Sequence, residues 1–306
     1  MVNMINTIKD IPKEELLTGG TFSCSGCQPI YSIRLLLKAL GKNTILINAA
    51  GCMTLTATYP FTPYHLNWVF NAIENAASTA SGILMGLKAQ NKDKDINIVC
   101  HVGDGATADI GLQSLSGVFD RKENIIYITY DNENFANTGY QRTSETPYGA
   151  RTKTTEIGKI NQIGNTLFRK SLVKIAAAHN IPYIATACTS YPMDLIKKVQ
   201  KASKINGPKF IHILTPCMPG WLIKDDEGPE IGKLAVETGA WPLYEIENGK
   251  FLLNHHPEKL KPVKEYLQKQ GRFKHLKEKD INYIQSIVNK QWESLLKGNY
   301  WDMIEY

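Results

Sequence analysis

The sequence predicts an α/β fold, a three-layer arrangement in which helices cover both faces of a parallel sheet. Three observations predict it. Five apolar runs of strand length alternate with segments of helical pattern. Two of these runs, Ile96 to Val102 and Ile125 to Tyr130, are joined through Gly103-Asp104-Gly105 and a helical segment, the order of a parallel βαβ unit. Polar residues and cysteines collect just past the ends of the runs, where open α/β sheets bind ligands.

Taken in order, Met1 to Gly20 reads as a charged leader arm that lies over another surface. Ile30 to Leu40 is a short amphipathic helix stopping at Gly41, and Thr44 to Ala50 is a strand ending at Gly51-Cys52. Met53 to His65, rich in Thr, Pro and aromatics, is a loop. Leu66 to Gln90 is a long helix whose Ala76, Ala77, Ala80 and Gly82 permit close packing. After the βαβ unit, Gln141 to Ile160 is Thr-rich and helix-poor, and a loop of that length implies function or a subunit contact. Ser171 to Asn180 is helical, and Pro182 to Ala187 is a strand. Pro192 to Lys204 is a helix with Pro near its start, and Phe210 to Leu214 is a strand ending at Thr215-Pro216-Cys217. Beyond Gly220, Ile231 to Thr238 is a short helix and Trp241 to Phe251 a hairpin across Glu247-Asn248-Gly249. His255 to Tyr306 is Lys-rich and helical. We therefore expect an α/β domain over residues 1–230 and an extension over 231–306 that packs on it or on a partner subunit.

Composition narrows the function. The net charge of +6 over 306 residues is mild and the basic residues are scattered, so no nucleic-acid partner is expected. No apolar stretch has the length of a membrane span and no signal-peptide core opens the chain, which leads us to expect a cytoplasmic protein with no membrane partner. Such a chain does not need its six cysteines for disulfides. Cys100 and Cys188 lie in apolar runs and read as small buried hydrophobes.

The ends of the βαβ unit carry hard oxygen donors. Gly103 and Gly105 allow backbone N–H groups to approach an anion at a helix start. Asp104 offers a carboxylate, Asn132 an amide oxygen and Asn134 a backbone carbonyl. Three such oxygens with phosphate oxygens make an octahedral Mg²⁺ shell. Gly-Asp-Gly with an Asn-containing strand end about thirty residues on resembles the diphosphate motif of thiamine diphosphate (TPP) enzymes. One departure is Glu133, where the common pattern has a second Asn directly after the first.

The remaining cysteines have irregular spacing. Cys24 and Cys27 form a C-x-x-C, Cys52 follows 25 residues after Cys27, and Cys217 comes 165 residues later. Four gathered thiolates bind zinc or an iron–sulfur cluster, and their neighbouring strand ends place Cys52 and Cys217 beside the diphosphate site. With the TPP motif, this order resembles the β subunit of 2-oxoacid:ferredoxin oxidoreductases, above all the pyruvate enzymes. Asn137-Thr138-Gly139-Tyr140-Gln141, Ala235 to Gly239 and Trp241 to Tyr244 match as well; Gln28 and Met218 depart from the family pattern.

The resemblance implies oxidative decarboxylation of pyruvate to acetyl-CoA and CO₂, with coenzyme A as co-substrate and electrons passing from TPP to a [4Fe-4S] cluster. It makes Cys24, Cys27, Cys52 and Cys217 the cluster ligands, and Asp104, Asn132 and the Asn134 carbonyl the Mg²⁺ ligands. It has Gly103, Gly105 and Ala106 cradle the diphosphate, and sets Asn137 at the cofactor's reactive end, where it orients substrate or aminopyrimidine. It also implies an α subunit supplying the Glu that activates the pyrimidine ring, γ and ferredoxin-like δ subunits, and ferredoxin as acceptor. Within this chain only Glu133, set among the metal ligands, and Glu74 offer an alternative carboxylate. Oxalate or a branched-chain 2-oxoacid is the alternative substrate. A non-redox TPP carboligase, or an electron-transfer module with a degenerate cofactor site, is the alternative class.

Overall fold

All five apolar runs are strands of one sheet. The structure, a computed structural model, describes residues 4–58, 60–302 and 305–306. Met1 to Asn3 of the leader arm, Tyr59 of the following loop, and Met303 and Ile304 of the tail lie outside the described residues.

The first half of the chain runs α1 (Gln28–Leu40), β1 (Thr44–Ala49), β2 (Asn67–Asn71), α2 (Ala76–Ala89), β3 (Asn97–Gly103), α3 (Leu112–Asp120) and β4 (Ile126–Asp131). The second half runs α4 (Leu172–Ala178), β5 (Tyr183–Cys188), α5 (Pro192–Lys204), β6 (Lys209–Leu214), α6 (Met218–Trp221), α7 (Gly228–Glu237), β7 (Tyr244–Glu247), β8 (Lys250–Leu253), α8 (Val263–Gln268) and α9 (Glu278–Leu296). The sheet order is β2-β1-β3-β4-β6-β5-β7-β8. Strands β1 to β6 pair in parallel, and the β7–β8 hairpin adds an antiparallel edge beside β5.

The expected long helix over Leu66 to Gln90 is corrected. Its first part is the edge strand β2, and the helix starts at Ala76. Trp68, Val69 and Phe70 are β-forming residues that pair with β1. The helix expected after Gly103-Asp104-Gly105 opens with a π-helical turn over Ala106–Ile110 before α3. Ser171 caps α4 by accepting the Lys174 N–H at 3.3 Å.

Two apolar layers sandwich the sheet. Ile33, Leu36, Leu195 and Val199 of α1 and α5 pack with Leu46, Val99, Ile128 and Ile211 on one face. Ala80, Leu84, Leu115, Phe119 and Val173 of α2, α3 and α4 pack with Ile47, Cys100, Tyr127 and Phe210 on the other. The leader arm lies on this chain's own first layer. Ile5 and Leu16 are buried in it, and Pro12 and Glu14 accept hydrogen bonds from Lys38 through their carbonyl oxygens. Residues after 231 form a third cluster, in which Val263, Leu267, Ile284 and Val288 meet Ala150, Cys188 and Leu214.

Candidate functional site

The order β1-β3-β4-β6 puts four consecutive carboxyl ends along one edge. Cys52 follows β1, Gly103 ends β3, Asn132 follows β4 and Cys217 follows β6 by three residues. Helix α1 runs back against β1, so its start, with Cys24 and Cys27 just before it, reaches the same edge. Two adjoining cavities open there.

The first cavity, of about 220 Å³, is lined by Gly103, Asp104, Gly105, Ala106, Asn132, Asn134 and Asn137, among others. Asp104 is buried, and its Oδ2 accepts a 2.6 Å hydrogen bond from Thr143 Oγ1. The Asn132 amide atom that points inward lies 2.6 Å from the Asn134 carbonyl oxygen and 3.2 Å from Asp104 Oδ1. With nitrogen at that atom, the amide donates to both neighbours. With oxygen there, three oxygens converge as a small hard cation requires. Burial raises the Asp104 carboxyl well above the usual carboxylate range, and the Asp131 charge adds to the rise. A bound cation would offset that cost, so the donor set fits Mg²⁺. Asn137 is exposed.

Tight packing shapes this cavity. Tyr130 fills the space where Gly51 or Gly103 would carry a side chain, with its hydroxyl 3.3 and 3.2 Å from the two absent Cβ positions. A Cβ on Gly105 would lie 2.2 Å from the Phe135 ring.

The second cavity, of about 130 Å³, is lined by all four expected cysteines, Cys24, Cys27, Cys52 and Cys217. It shares Cys52, Asn132, Ala136 and Asn137 with the first. None of the four is in a disulfide. Burial pushes the Cys27 thiol up to about 11 and Cys217 up to about 12; Cys52 is raised too, by burial first and then by the neighbouring Cys217. These sulfurs need a cationic partner to hold the thiolate form. A single zinc would draw four sulfurs to about 2.3 Å around one point. An iron–sulfur cluster takes four thiolates as well, so the four cysteines on one cavity fit either group. Cys27 stands at the N-cap position of the 13-residue α1, whose N-terminal dipole faces this site. Gln28 and Met218, the two departures from the family pattern, lie together, since a Cβ on Gly228 would meet Met218 Cε at 2.5 Å and Gln28 Nε2 at 3.2 Å. Cys100 and Cys188 are buried elsewhere, each facing a backbone carbonyl, of Ala76 and Gly232.

Behind the loop at residues 132–134 lies a charge network that sequence reasoning missed. Arg169 pairs with Asp131 and with Glu133, and its Nε lies 3.6 Å from Glu145. His212 Nε2 lies 2.9 Å from Asp131 Oδ2, and Arg272 pairs with Glu133. Burial disfavours ionised Asp131, but Arg169 and His212 outweigh it and hold the carboxyl below its usual range. Glu145 is raised well above its range by burial and by the Asp131 charge. Asp131, Glu145 and His212 bring ligand atoms within 4.8 Å of one another. The Arg169 guanidinium already neutralises that spot, so a cation there would meet like charge. Arg169 and Arg272 lie far from both motifs in sequence, and only their burial reveals them; Thr143 stands in the Thr-rich loop and His212 inside strand β6, where neither residue type signals a site. Glu74 lies in the turn before α2 and lines neither cavity.

Residues 49–213, more than half of the chain, match the family described as thiamine pyrophosphate enzyme, C-terminal TPP binding domain. The pyruvate synthase subunit PorB of Methanocaldococcus jannaschii is 48% identical over 296 residues, covering 94% of this chain and 99% of that protein. The chain belongs to the TPP-binding β subunits of 2-oxoacid:ferredoxin oxidoreductases. The ketoisovalerate oxidoreductase subunit VorB of Pyrococcus furiosus is 44% identical to this β subunit, covering 94% of each chain. Its fold is shared with a 2-oxoglutarate:ferredoxin oxidoreductase from Magnetococcus marinus, solved with 2-oxoglutarate, coenzyme A and succinyl-CoA bound. The TM-score is 0.56 at 16% identity, over 70% of this chain and 72% of that one. No helix among the described residues is long and apolar enough to cross a membrane.

Proposed function

We propose that this β subunit carries Mg²⁺-TPP and a [4Fe-4S] cluster side by side and serves the CoA-dependent oxidative decarboxylation of pyruvate. The observation that carries the reading is the wall shared by the two cavities, built from Cys52, Asn132, Ala136 and Asn137. When bound, TPP supplies the carbanion-stabilising chemistry at the substrate's keto carbon. Asp104, Asn132 and the Asn134 carbonyl hold the metal, and Gly103, Gly105 and Ala106 line the diphosphate. Asn137, on the shared wall, orients the reacting end. Cys24, Cys27, Cys52 and Cys217 hold the electron acceptor one wall away, where the first electron transfer is short. Exposed Leu55 lines the cysteine cavity, and exposed Phe22, next in sequence to the cavity-lining Ser23, meets exposed Phe61 edge-to-face. These apolar side chains suit coverage by other subunits: an α subunit, and γ and δ subunits that pass electrons on toward ferredoxin.

The 44% identity to a ketoisovalerate oxidoreductase subunit supports a branched-chain 2-oxoacid as the second reading. The test is an anaerobic preparation of the assembled oxidoreductase, assayed for iron, sulfide and TPP and then for acceptor reduction. Pyruvate should give a higher kcat/KM than 2-ketoisovalerate. Cys217→Ala in this chain should lose the cluster's absorbance while Cys188→Ala keeps it. Unchanged iron and sulfide in Cys217→Ala would refute the four-ligand assignment, and a preference for 2-ketoisovalerate would move the substrate to the branched-chain class.

A further inference from the structure

We propose that Arg272, from the last part of the chain, is a positioning residue for the metal loop. It holds Glu133 in the left-handed backbone conformation that turns Asn132 and the Asn134 carbonyl toward Asp104. The inference rests on the Mg²⁺-diphosphate reading of that loop.

Glu133 stands between two candidate ligands, with φ +64°, a region that non-glycine residues adopt at a cost. Every polar group on it is tied. Its N–H donates to Asp131 Oδ1 at 2.8 Å and its carbonyl accepts from Thr146 Oγ1 at 2.7 Å. Oε1 accepts from Arg169 Nη1 at 2.9 Å, and Oε2 takes Arg272 Nη2. Arg272 is 1% exposed, its Nε donates to Gln270 Oε1 at 2.9 Å, and its guanidinium stacks 3.9 Å above the Trp221 ring. The same Trp221 donates from Nε1 to the Asn132 carbonyl at 2.8 Å. Arg272 therefore grips the loop on both sides of the Asn132–Glu133 peptide, by charge on one side and through Trp221 on the other. A planar guanidinium can do both at once; an ammonium cannot.

The test separates this role from general stabilisation, by titrating Mg²⁺ at fixed TPP into the assembled oxidoreductase and reading calorimetric heat. Arg272→Met should raise the Mg²⁺ half-saturation by about tenfold, the scale of a lost left-handed preference. Two double variants decide, since neither leaves an unpaired carboxylate at position 133. Glycine accepts positive φ freely, so Glu133→Gly/Arg272→Met should return to within about threefold of the native value, whereas Glu133→Ala/Arg272→Met should stay about tenfold weaker or fail to assemble. Equal half-saturation in the two doubles would overturn the proposal, as would failure of the glycine double to assemble. Absence of Mg²⁺-TPP binding in the native complex would instead refute the reading of the site itself.

Discussion

At position 105 it is the missing side chain that matters. Gly105 has right-handed helical angles, φ −64° and ψ −33°, which any residue adopts. Its absent Cβ would lie 2.2 Å from the Phe135 ring, which packs one residue beyond Asn134. Gly105→Ala should therefore destabilise the protein by about 1–3 kcal/mol through overpacking and weaken TPP binding. Adding Phe135→Leu should recover most of the loss in urea unfolding. Recovery that fails in the double variant would assign the glycine to backbone approach alone. Asp104 is the only carboxylate lining the first cavity among the described residues. Removing outer-shell partners costs metal sites about 10–100-fold in affinity, so Asp104→Ala, a direct ligand loss, should cost Mg²⁺-TPP binding at least that much and leave the cysteine site's iron in place. Wild-type affinity by calorimetry would remove Asp104 from the site. The proposed ligand residues, which line the two cavities, were legible because Asp104, Asn132, Cys52 and Cys217 are unusual residue types just past strand ends and Cys24 and Cys27 form a C-x-x-C. Phe135 and Arg272 were not, because a Phe beside Asn134 and an Arg 138 residues beyond it carry no local signal, and Thr143 was legible only as part of a Thr-rich loop with a functional or contact role. Glu133 reads from sequence as a departure from a two-Asn pattern; the structure gives it a fully buried, fully bonded place.

At the scale of elements, periodicity located the five central strands and failed at the sheet's edge. In β2, Asn67–Asn71, a five-residue strand runs almost directly into the Ala-rich α2, and the helical pattern absorbed it. Strand β6 has a different peculiarity, a buried lysine at its first position. Lys209 is 3% exposed, and burial pushes its ammonium down to about 7. In the unfolded chain a lysine titrates near ~10.4, so between these values the unfolded state binds more protons than the folded one. Stability should therefore rise with pH across that window, and the folded state should bear the full cost of the charge below pH ~7. Lys209→Met should be more stable than the native protein at pH ~7 and should gain less between pH ~7 and ~9, its slope lower by up to about 1.4 kcal/mol per pH unit. Urea midpoints measured at both pH values would check this. Parallel pH slopes for the two proteins would show that the ammonium stays charged inside the fold, held by Asn124 Oδ1 at 2.5 Å.

For the whole molecule, the two cavities share one limitation. Apart from Asp104, neither is lined by a carboxylate among the described residues. Activating the TPP pyrimidine ring calls for a carboxylate hydrogen-bonded to it. Glu133 is committed to two arginines, and Glu74 is not on either wall. The isolated chain, loaded with Mg²⁺-TPP and with iron and sulfide, should therefore be inert toward pyruvate with coenzyme A and an artificial acceptor. Turnover comparable to the reconstituted complex would place the missing carboxylate in this chain. The order of strands also sets a timetable for the chain's birth. A ribosome releases Cys24 first, yet β6 must slot between β4 and β5 before the sheet closes, and Arg272 emerges 248 residues after Cys24. From residue 134 to residue 217 of its synthesis the nascent chain thus holds three of the four proposed cluster cysteines and the proposed metal loop without Arg272. On the proposed assignment, iron and magnesium delivered at that stage would meet half-built sites, so loading would follow the emergence of Arg272, and a message truncated before codon 272 should yield a chain that cells degrade rather than one that cells fill.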